Sequence, residues 1–490
     1  MDLDLDPFFN PKAIALVGAS RKLSSWGFLI ALNIIQNKYT GQFFPVHPVA
    51  KEVLGYTVYP TILEIPPDVR LDLVIIIIPA RFVLSILEQC HARKVKHVVI
   101  ITGGFRETGE AGRLLEKQIG SYARKHKIRL IGPNGMGIVS TRVNLNAVMW
   151  PVYGLRKGVM SFISQSGNIG TIGISVASRR GIGLNTYVSA GNMADLAMSD
   201  FLEYFGLYDD KTKILGFYIE GIRDSRRFVE LVRKVSKKKP VILLKAGGTA
   251  AGKRAALSHT GAISGDDRVF KNILESAGAI IVNSLEEMFD LVLTFSKWIG
   301  PQWKFSKGRV VILTRGGGWG VMASDACSRH GIILEQLNER IITRINDILP
   351  PFWSHGNPID TVASLDISNV VDIIKGIFEE MPDVEAVLLL GVGSFSYLSS
   401  LAMESPLVPD EHKPSLGMIG ELETSMFKSI LELSEKYKRP VLITTLLSGI
   451  NSPAVRYLES NDYPVFATPE RMVRAFRRLV DYYNYCQNTS

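Results

Sequence analysis

Short apolar runs recur along this chain, and most of them end in a Gly, Pro or Ser turn. That pairing constrains the fold more than any other feature. Ala13-Ile14-Ala15-Leu16-Val17 runs into Gly18-Ala19-Ser20-Arg21, with a helix expected from Gly27 to Asn37. Gln42 to Val46 ends in His47-Pro48, Leu73 to Ile78 at Pro79, and His97 to Thr102 at Gly103-Gly104. Arg129 to Ile131 ends at Gly132-Pro133-Asn134. A strand that is apolar at every position has both faces buried, as in a parallel sheet covered by helices. Such strands alternating with helical segments predict an α/β fold built on parallel sheets. Ligands of open α/β sheets bind along the carboxyl ends of the strands, where these turns stand.

The rhythm continues to the end of the chain. Val159 to Ile163 leads into Ser164-Gln165-Ser166-Gly167-Asn168 and a helix expected from Ile169 to Arg180. Ile214 to Ile219 ends in Glu220-Gly221, and Pro240 to Leu244 leads to Lys245. Gly308 to Leu313 precedes Gly316-Gly317-Gly318-Trp319-Gly320 and a helix through about Arg329. Further strands are expected near Val384–Leu390, Val441–Thr445 and Val465–Ala467, and Pro469 opens a last helix. A length of 490 residues suits about three domains. They are placed at 1–150, 151–300 and 301–490, with linkers near Trp150-Pro151 and Gly300-Pro301-Gln302.

Composition removes several classes. Hydrophobic residues make up 46% and charged residues 21%, a globular balance. No apolar run reaches the ~18 residues of a membrane span, and the acidic start, Asp2-Leu3-Asp4-Leu5-Asp6, is no signal peptide. Cys90, Cys327 and Cys486 are scattered and support neither a disulfide framework nor a metal site. A cytoplasmic protein without membrane contact is expected. The net charge of +9 is dispersed, with its densest run at Lys237-Lys238-Lys239, and no zinc-finger or basic-helix pattern accompanies it. Nucleic acid is therefore disfavoured as a partner. A basic balance also suits phosphorylated ligands.

Three stretches carry chemistry. In the first third only Gly18 matches a dinucleotide fingerprint, and no acid ends the second strand. NAD is disfavoured, while Lys51 nearby fits a ligand with an added phosphate such as NADP or coenzyme A. Generic strand–helix connections explain the same residues. In the middle, Ser164 to Gly167 places a hydroxyl-rich turn at a helix N-terminus, where free N–H groups and the helix dipole favour an anion. Simple N-capping, worth ~1 kcal/mol each, is the other reading of Ser164 and Ser166. Gly316 to Gly320 repeats the arrangement, or uses glycine only for a tight turn.

The third stretch is Leu257-Ser258-His259-Thr260-Gly261-Ala262, downstream of the small, basic segment Lys245 to Lys253. An imidazole among such neighbours has little to pack against. It suits a nucleophile that becomes phosphorylated, since an unperturbed histidine is largely neutral at pH 7. A carboxylate on the other ring nitrogen would orient it. Glu220 follows a strand of the same inferred sheet and is the candidate.

Taken in order, these residues resemble the NDP-forming acyl-CoA synthetases, relatives of succinyl-CoA synthetase. The likeness rests on Val17-Gly18-Ala19-Ser20, Pro45-Val46-His47-Pro48, Gly132-Pro133-Asn134, Ser164-Gln165-Ser166-Gly167, Ser189-Ala190-Gly191-Asn192 with Asp195, and Tyr218-Ile219-Glu220-Gly221. Lys245-Ala246-Gly247 followed by Ala256 to Ala262 carries it furthest, and Asn357-Pro358-Ile359-Asp360 matches too. The chain looks most like the α-subunit branch of ADP-forming acetate–CoA ligases.

The resemblance implies a Rossmann-like CoA-binding domain followed by two flavodoxin-like domains, with no ATP-grasp domain. It implies CoA contacts at Gly18, Ala19, Ser20, Arg21, Lys51, Pro79, Thr102, Gly103 and Asn134. It makes His259 the phosphohistidine, supported by Glu220. Phosphate would lie at Ser164, Gln165, Ser166 and Gly167, and at Gly316, Gly317 and Gly318, so that two helix N-termini pinch the phosphohistidine. Acyl-CoA, ADP and phosphate would become free acid, ATP and CoA, reversibly. ATP, ADP and Mg2+ would sit on a separate ATP-grasp β subunit in an α2β2 assembly. Three positions depart from the family pattern. Thr314-Arg315-Gly316-Gly317-Gly318-Trp319-Gly320 stands where Asn-Ala-Gly-Gly-Pro-Gly is usual, His47 replaces an asparagine, and Lys51 falls late for the basic residue. They motivate an alternative, a CoA-binding regulatory protein that kept the fold and lost the reaction. An NADP-dependent oxidoreductase is a third, weaker reading.

Overall fold

The computed structural model describes residues 4–152, 154–249, 267–362, 368–445 and 452–489. The first sheet is built from β1 (Ala13–Val17), β2 (Gln42–Val46), β5 (Leu73–Ile76), β6 (His97–Ile100) and β7 (Arg129–Ile131). A short antiparallel hairpin, β3 (Glu52–Val53) and β4 (Tyr56–Thr57), interrupts the series. The sheet order is β2-β1-β5-β6-β7, and every pairing is parallel. Every residue of β1 is buried, as its unbroken apolar run requires. β5 and β6 stop short of the expected Ile78 and Thr102. There the Thr102 hydroxyl takes over from the ladder, donating to Ile78 O at 2.8 Å and accepting from Ile78 N at 3.2 Å.

The second sheet holds β8 (Gly137–Ser140), β9 (Leu145–Val148), β10 (Lys157–Ser164), β11 (Leu184–Ser189), β12 (Ile214–Ile219), β13 (Val241–Lys245) and β14 (Ile280–Val282). Its order is β14-β13-β12-β10-β11-β8-β9. β10 to β14 are parallel, and the β8–β9 hairpin is added antiparallel at the β11 edge. The third sheet contains β15 (Arg309–Thr314), β16 (Ile333–Leu334), β17 (Ile359–Asp360), β18 (Ala386–Leu390), β19 (Val441–Thr444) and β20 (Val465–Phe466). Its order is β16-β15-β18-β19-β20, with β17 on the end of β15, and all its pairings are parallel.

One winding recurs in all three sheets. The second parallel strand lies outside the first, and the later strands are added on the other side. The order reverses beside the first strand, at β1/β5, β10/β12 and β15/β18. Such a reversal leaves a crevice outside the strand ends, because the flanking connections leave to opposite faces.

The described chain divides into two compact units, Met1–Met288 and Phe289–Ser490. The first unit holds two sheets over one core, in which Ile14, Leu16 and Ile30 join Ile163, Val188 and Phe217. The segment expected as a linker near Trp150 is tied down within this unit: the Asn33 amide donates to Val148 O at 2.8 Å and Trp150 O at 3.1 Å. In the second unit Arg471 donates twice to buried Asp290, at 2.8 Å each, fastening the last helix, Pro469–Thr489. Among the described residues no helix is long and apolar enough to cross a membrane.

Candidate functional site

The first crevice is a cavity of about 760 Å³ at the β1/β5 reversal, within the ~300–1,000 Å³ of small-molecule sites. Gly18, Ser20, Trp26 and Gly27 are among the residues that line it, with His47 and Pro48, and with Ile78, Pro79, Phe82, Thr102 and Gly103. Two glycines shape it. Gly18 has φ +100°, and a Cβ there would lie 2.2 Å from Ile77 O. A Cβ on Gly27 would lie 1.9 Å from Gly18 O, so the helix Trp26–Gln36 rests directly on the turn. The glycine spacing is longer than a dinucleotide fingerprint because the helix begins late. Ser25 caps it, accepting from Phe28 N at 3.2 Å.

His47 accounts for one departure from the family pattern. Its Nδ1 accepts the amide protons of Val49 at 3.2 Å and Ala50 at 3.0 Å. That is the local turn an asparagine side chain would make. Trp26 and Phe82, 47% and 48% exposed, are aromatic faces at the cavity that sequence reasoning missed.

At the second reversal β10 delivers Ser164 and β12 delivers Glu220 to one sheet edge. The Gln165 side chain joins them. Its Oε1 accepts from Glu220 N at 2.7 Å and Gly221 N at 3.1 Å. Ser164 is buried and donates to Ser166 O at 2.6 Å. Ser166 occupies the N-cap position of the helix Gly167–Arg179, yet its side chain makes no cap hydrogen bond. Neither serine acts as the simple cap that the sequence allowed, so this N-terminus keeps its dipole and its first N–H groups for an anion. Glu220 is half-buried, and burial followed by its charge pushes the neighbouring Tyr218 phenol up. Lys245 ends β13 on this edge, with its ammonium over the Phe270 ring at 5.8 Å.

The third reversal repeats the construction. Thr314 ends β15 and donates to Gly316 O at 2.9 Å, as Ser164 does to Ser166 O. The helix Gly317–His330 starts one residue later, again without a side-chain cap. Arg315 occupies the place of Gln165: its N–H donates to Leu390 O across the reversal, as Gln165 N–H does to Tyr218 O. Its guanidinium stacks on Phe395 at 4.2 Å. Trp319 lies against Gly316 and Gly391, while the Cβ position of Gly318 faces open space.

Of the expected CoA positions, Gly18, Ser20, Pro79, Thr102 and Gly103 line the cavity; Ala19, Arg21, Lys51 and Asn134 do not. Ala19 is buried, while Arg21 and Lys51 are exposed. Asn134 turns to Asn192, donating to its Oδ1 at 3.3 Å. Asp195 fastens β7, accepting from Arg129 Nε at 2.9 Å and Leu130 N at 3.0 Å. His259 lies outside the described residues.

Three family models match the chain. A CoA binding domain covers residues 12–141, a succinyl-CoA ligase like flavodoxin domain 157–295, and a ligase-CoA domain 310–392. The cleft and the two strand–turn–helix sites thus stand in a chain of CoA-binding and CoA-ligase domains. The chain is 35% identical over 477 residues to the alpha subunit of acetate–CoA ligase (ADP-forming) II of Pyrococcus furiosus, covering 97% of each. It is 35% identical over 482 residues to acetate–CoA ligase (ADP-forming) of Methanocaldococcus jannaschii, covering 98% of this chain and 64% of that protein. The solved dinucleotide forming acetyl-coenzyme A synthetase 1 of Ca. Korarchaeum cryptofilum, in complex with phosphate and ADP, superposes with a TM-score of 0.83 at 30% identity, covering 99% of this chain and 98% of that one. The chain belongs to the ADP-forming acetate–CoA ligase family, in its α-subunit form.

Proposed function

We propose that this chain is the α subunit of a cytoplasmic ADP-forming acyl-CoA synthetase. With a separate ATP-grasp β subunit it converts acyl-CoA, ADP and phosphate reversibly to carboxylic acid, ATP and CoA. Residues 1–150 bind CoA, 151–300 carry the phosphohistidine, and 301–490 form the second flavodoxin-like domain. A phosphate oxygen attacks the thioester carbonyl, the C–S bond breaks, and CoA leaves as the acyl phosphate forms. A ring nitrogen of His259 then attacks phosphorus and the acyl oxygen leaves with the carboxylate. The phosphoryl group finally passes to the terminal oxygen of ADP as the P–N bond breaks. Dividing the transfer gives each step a competent leaving group. ATP, ADP and Mg2+ are assigned to the partner, in an α2β2 assembly. The M. jannaschii relative, of which this chain spans 64%, supports a partner that supplies the remainder.

The observation that carries this reading is the Gln165 junction. It holds Glu220 beside the uncapped N-terminus of Gly167–Arg179, so a carboxylate to orient an imidazole and a seat for its phosphate share one edge. Ser164, Gln165, Ser166 and Gly167 form that seat, and Gly316, Gly317 and Gly318 its counterpart. In the cleft, Gly18, Ser20, Pro79, Thr102 and Gly103 remain the proposed CoA residues, joined by Trp26, His47 and Phe82; Ala19, Arg21, Lys51 and Asn134 remain proposed contacts beyond its lining. The position of Trp319 against Gly316 and Gly391 leaves the Gly318 side open, which favours the enzyme over a silent CoA-binding relative. Incubation with acetyl-CoA and labelled phosphate is expected to leave an acid-labile, base-stable label on His259. His259→Asn is expected to abolish both label and turnover of the complex. Full turnover by that variant would falsify the assignment.

A further inference from the structure

The cleft and the phosphate edge are joined by a path of hydrogen bonds and short backbone links, and Asn192 is its centre. Asn192 follows β11 and is 8% exposed. Its Nδ2 donates to Glu107 Oε2 at 2.7 Å and to Glu116 Oε2 at 2.8 Å. An amide nitrogen carries two hydrogens, so each carboxylate takes one. Asn192 Oδ1 accepts from Asn134, its N–H donates to Pro133 O at 2.7 Å, and its carbonyl accepts from Arg223 Nη2 at 3.0 Å. Backbone and side chain alike are committed.

On the cleft side, Glu107 Oε1 accepts from Gly104 N at 2.6 Å and Phe105 N at 3.1 Å, next to the cavity residue Gly103. The loop after β6 therefore takes its shape from a carboxylate that Asn192 holds. Burial pushes the Glu107 carboxyl up, but the hydrogen bonds from Asn192 and from the loop outweigh it and keep it below the usual carboxylate range. Burial raises Glu116 beside it. Without the amide, Glu107 would lose its side-chain donor, and Glu116 would keep only Arg106, whose backbone N–H and Nε each lie 3.4 Å from it. On the other side, Arg223 also donates to Met193 O at 3.0 Å. Arg223 stands two residues beyond Gly221, on the loop whose amide protons Gln165 holds.

We propose that Asn192 is a positioning residue that keeps the CoA cleft in register with the Glu220 edge, so that both the thioester step and the transfer to His259 depend on it. This rests on the function proposed above. Asn192 touches neither the cavity nor Glu220 directly; it acts through Glu107 on one side and Arg223 on the other.

The test uses the full-length chain with two readouts: CoA affinity by calorimetry, and the rate of His259 labelling at saturating acetyl-CoA with labelled phosphate. Asn192→Ala and Asn192→Asp are expected to lose tenfold or more, as an order of magnitude, in both. A purely structural role would lower the melting temperature while the folded fraction keeps its CoA affinity and saturated rate; that result overturns the inference. Loss of CoA affinity alone also overturns it, since the path would then end at the cleft. Should either Asn192 variant fail to fold, Glu107→Gln turns an N–H toward the amide of Asn192 and is read the same way. A wild-type chain that binds no CoA and takes no label removes the proposed function and this inference together. Wild-type function with unchanged variants removes the inference alone.

Discussion

Gln165→Ala isolates the contact that brings Glu220 to the phosphate edge. One side-chain oxygen serves two backbone donors, at 2.7 and 3.1 Å. A hydrogen bond contributes ~0.5–1.5 kcal/mol net, so the pair stabilises the fold by ~1–3 kcal/mol. Glu220 and Gly221 are half-buried, so water replaces part of this in the variant. The expected loss is ~1–2 kcal/mol, or a fall of ~2–8 °C in Tm for a unit of this size. The functional effect is larger. Freed from Gln165, the Glu220 backbone shifts on the scale of an ångström, and a displacement of that order costs ~10- to 100-fold in rate. Labelling of His259 by acetyl-CoA and labelled phosphate should slow by that factor. CoA affinity should not change, because Asn192 keeps its bond to Glu107 and so the shape of the cleft loop whatever Gln165 holds. Gln165→Glu sharpens the test. It keeps acceptor oxygens for the two N–H groups and so keeps the melting temperature, but it sets a negative charge where phosphate must approach. Labelling should remain slow although the fold is intact. A Gln165→Ala chain that labels at the wild-type rate would refute the argument that this junction positions Glu220.

Two further outcomes concern the cleft. Gly27→Ala places a Cβ 1.9 Å from Gly18 O; the clash should cost ~1–3 kcal/mol and weaken CoA binding, and unchanged melting with unchanged affinity would show that the helix does not brace the turn. Trp26→Ala removes an exposed ring at the cavity, so stability should hold within ~0.5 kcal/mol while CoA binding falls by the ~1–3 kcal/mol of a base–aromatic stack; calorimetry with CoA against CoA lacking its adenine decides whether stacking is the cause.

Much of the fold was legible because fully buried parallel strands write themselves as unbroken apolar runs. β1 falls where such a run does, and β2, β7 and β12 also match to the residue, although exposed Gln42 opens β2 and half-buried Arg129 opens β7. The strand ends were legible too, since the turns need Gly, Pro or a small hydroxyl. β5 and β6 ended early because a side chain, Thr102, replaced the ladder bonds, and no apolar pattern records that. The β8–β9 hairpin was not anticipated. Its strands are four residues each and mix buried Ser140 and Asn146 with apolar neighbours, so neither period stands out. Near Trp150 the Asn33 amide holds the backbone by long-range bonds, which the residue types there do not record.

At the candidate sites the division is similar. Ser164 to Gly167 and Gly316 to Gly318 could be picked out because glycine and hydroxyl residues at a strand–helix junction have a local physical meaning. Trp26 and Phe82 were missed because an aromatic says nothing of its own about which cavity it faces. Asn192 and Glu107 lie 85 residues apart, and no local rule pairs them.

The sequence by itself determined the class of the fold, the strand edge on which chemistry belongs and the turns able to seat an anion. These follow from hydrophobic period, backbone freedom and helix ends, which are local properties of a few neighbouring residues. Only the tertiary structure decided the strand order, and with it the three reversals where the cleft and the turns stand. It alone showed that Gln165 joins β10 to β12, that His47 works as an asparagine would, and that Asn192 ties the cleft loop to the Glu220 edge. Each of these is a hydrogen bond between groups distant in sequence or oriented by their packing, and its existence depends on where the folded chain carries them.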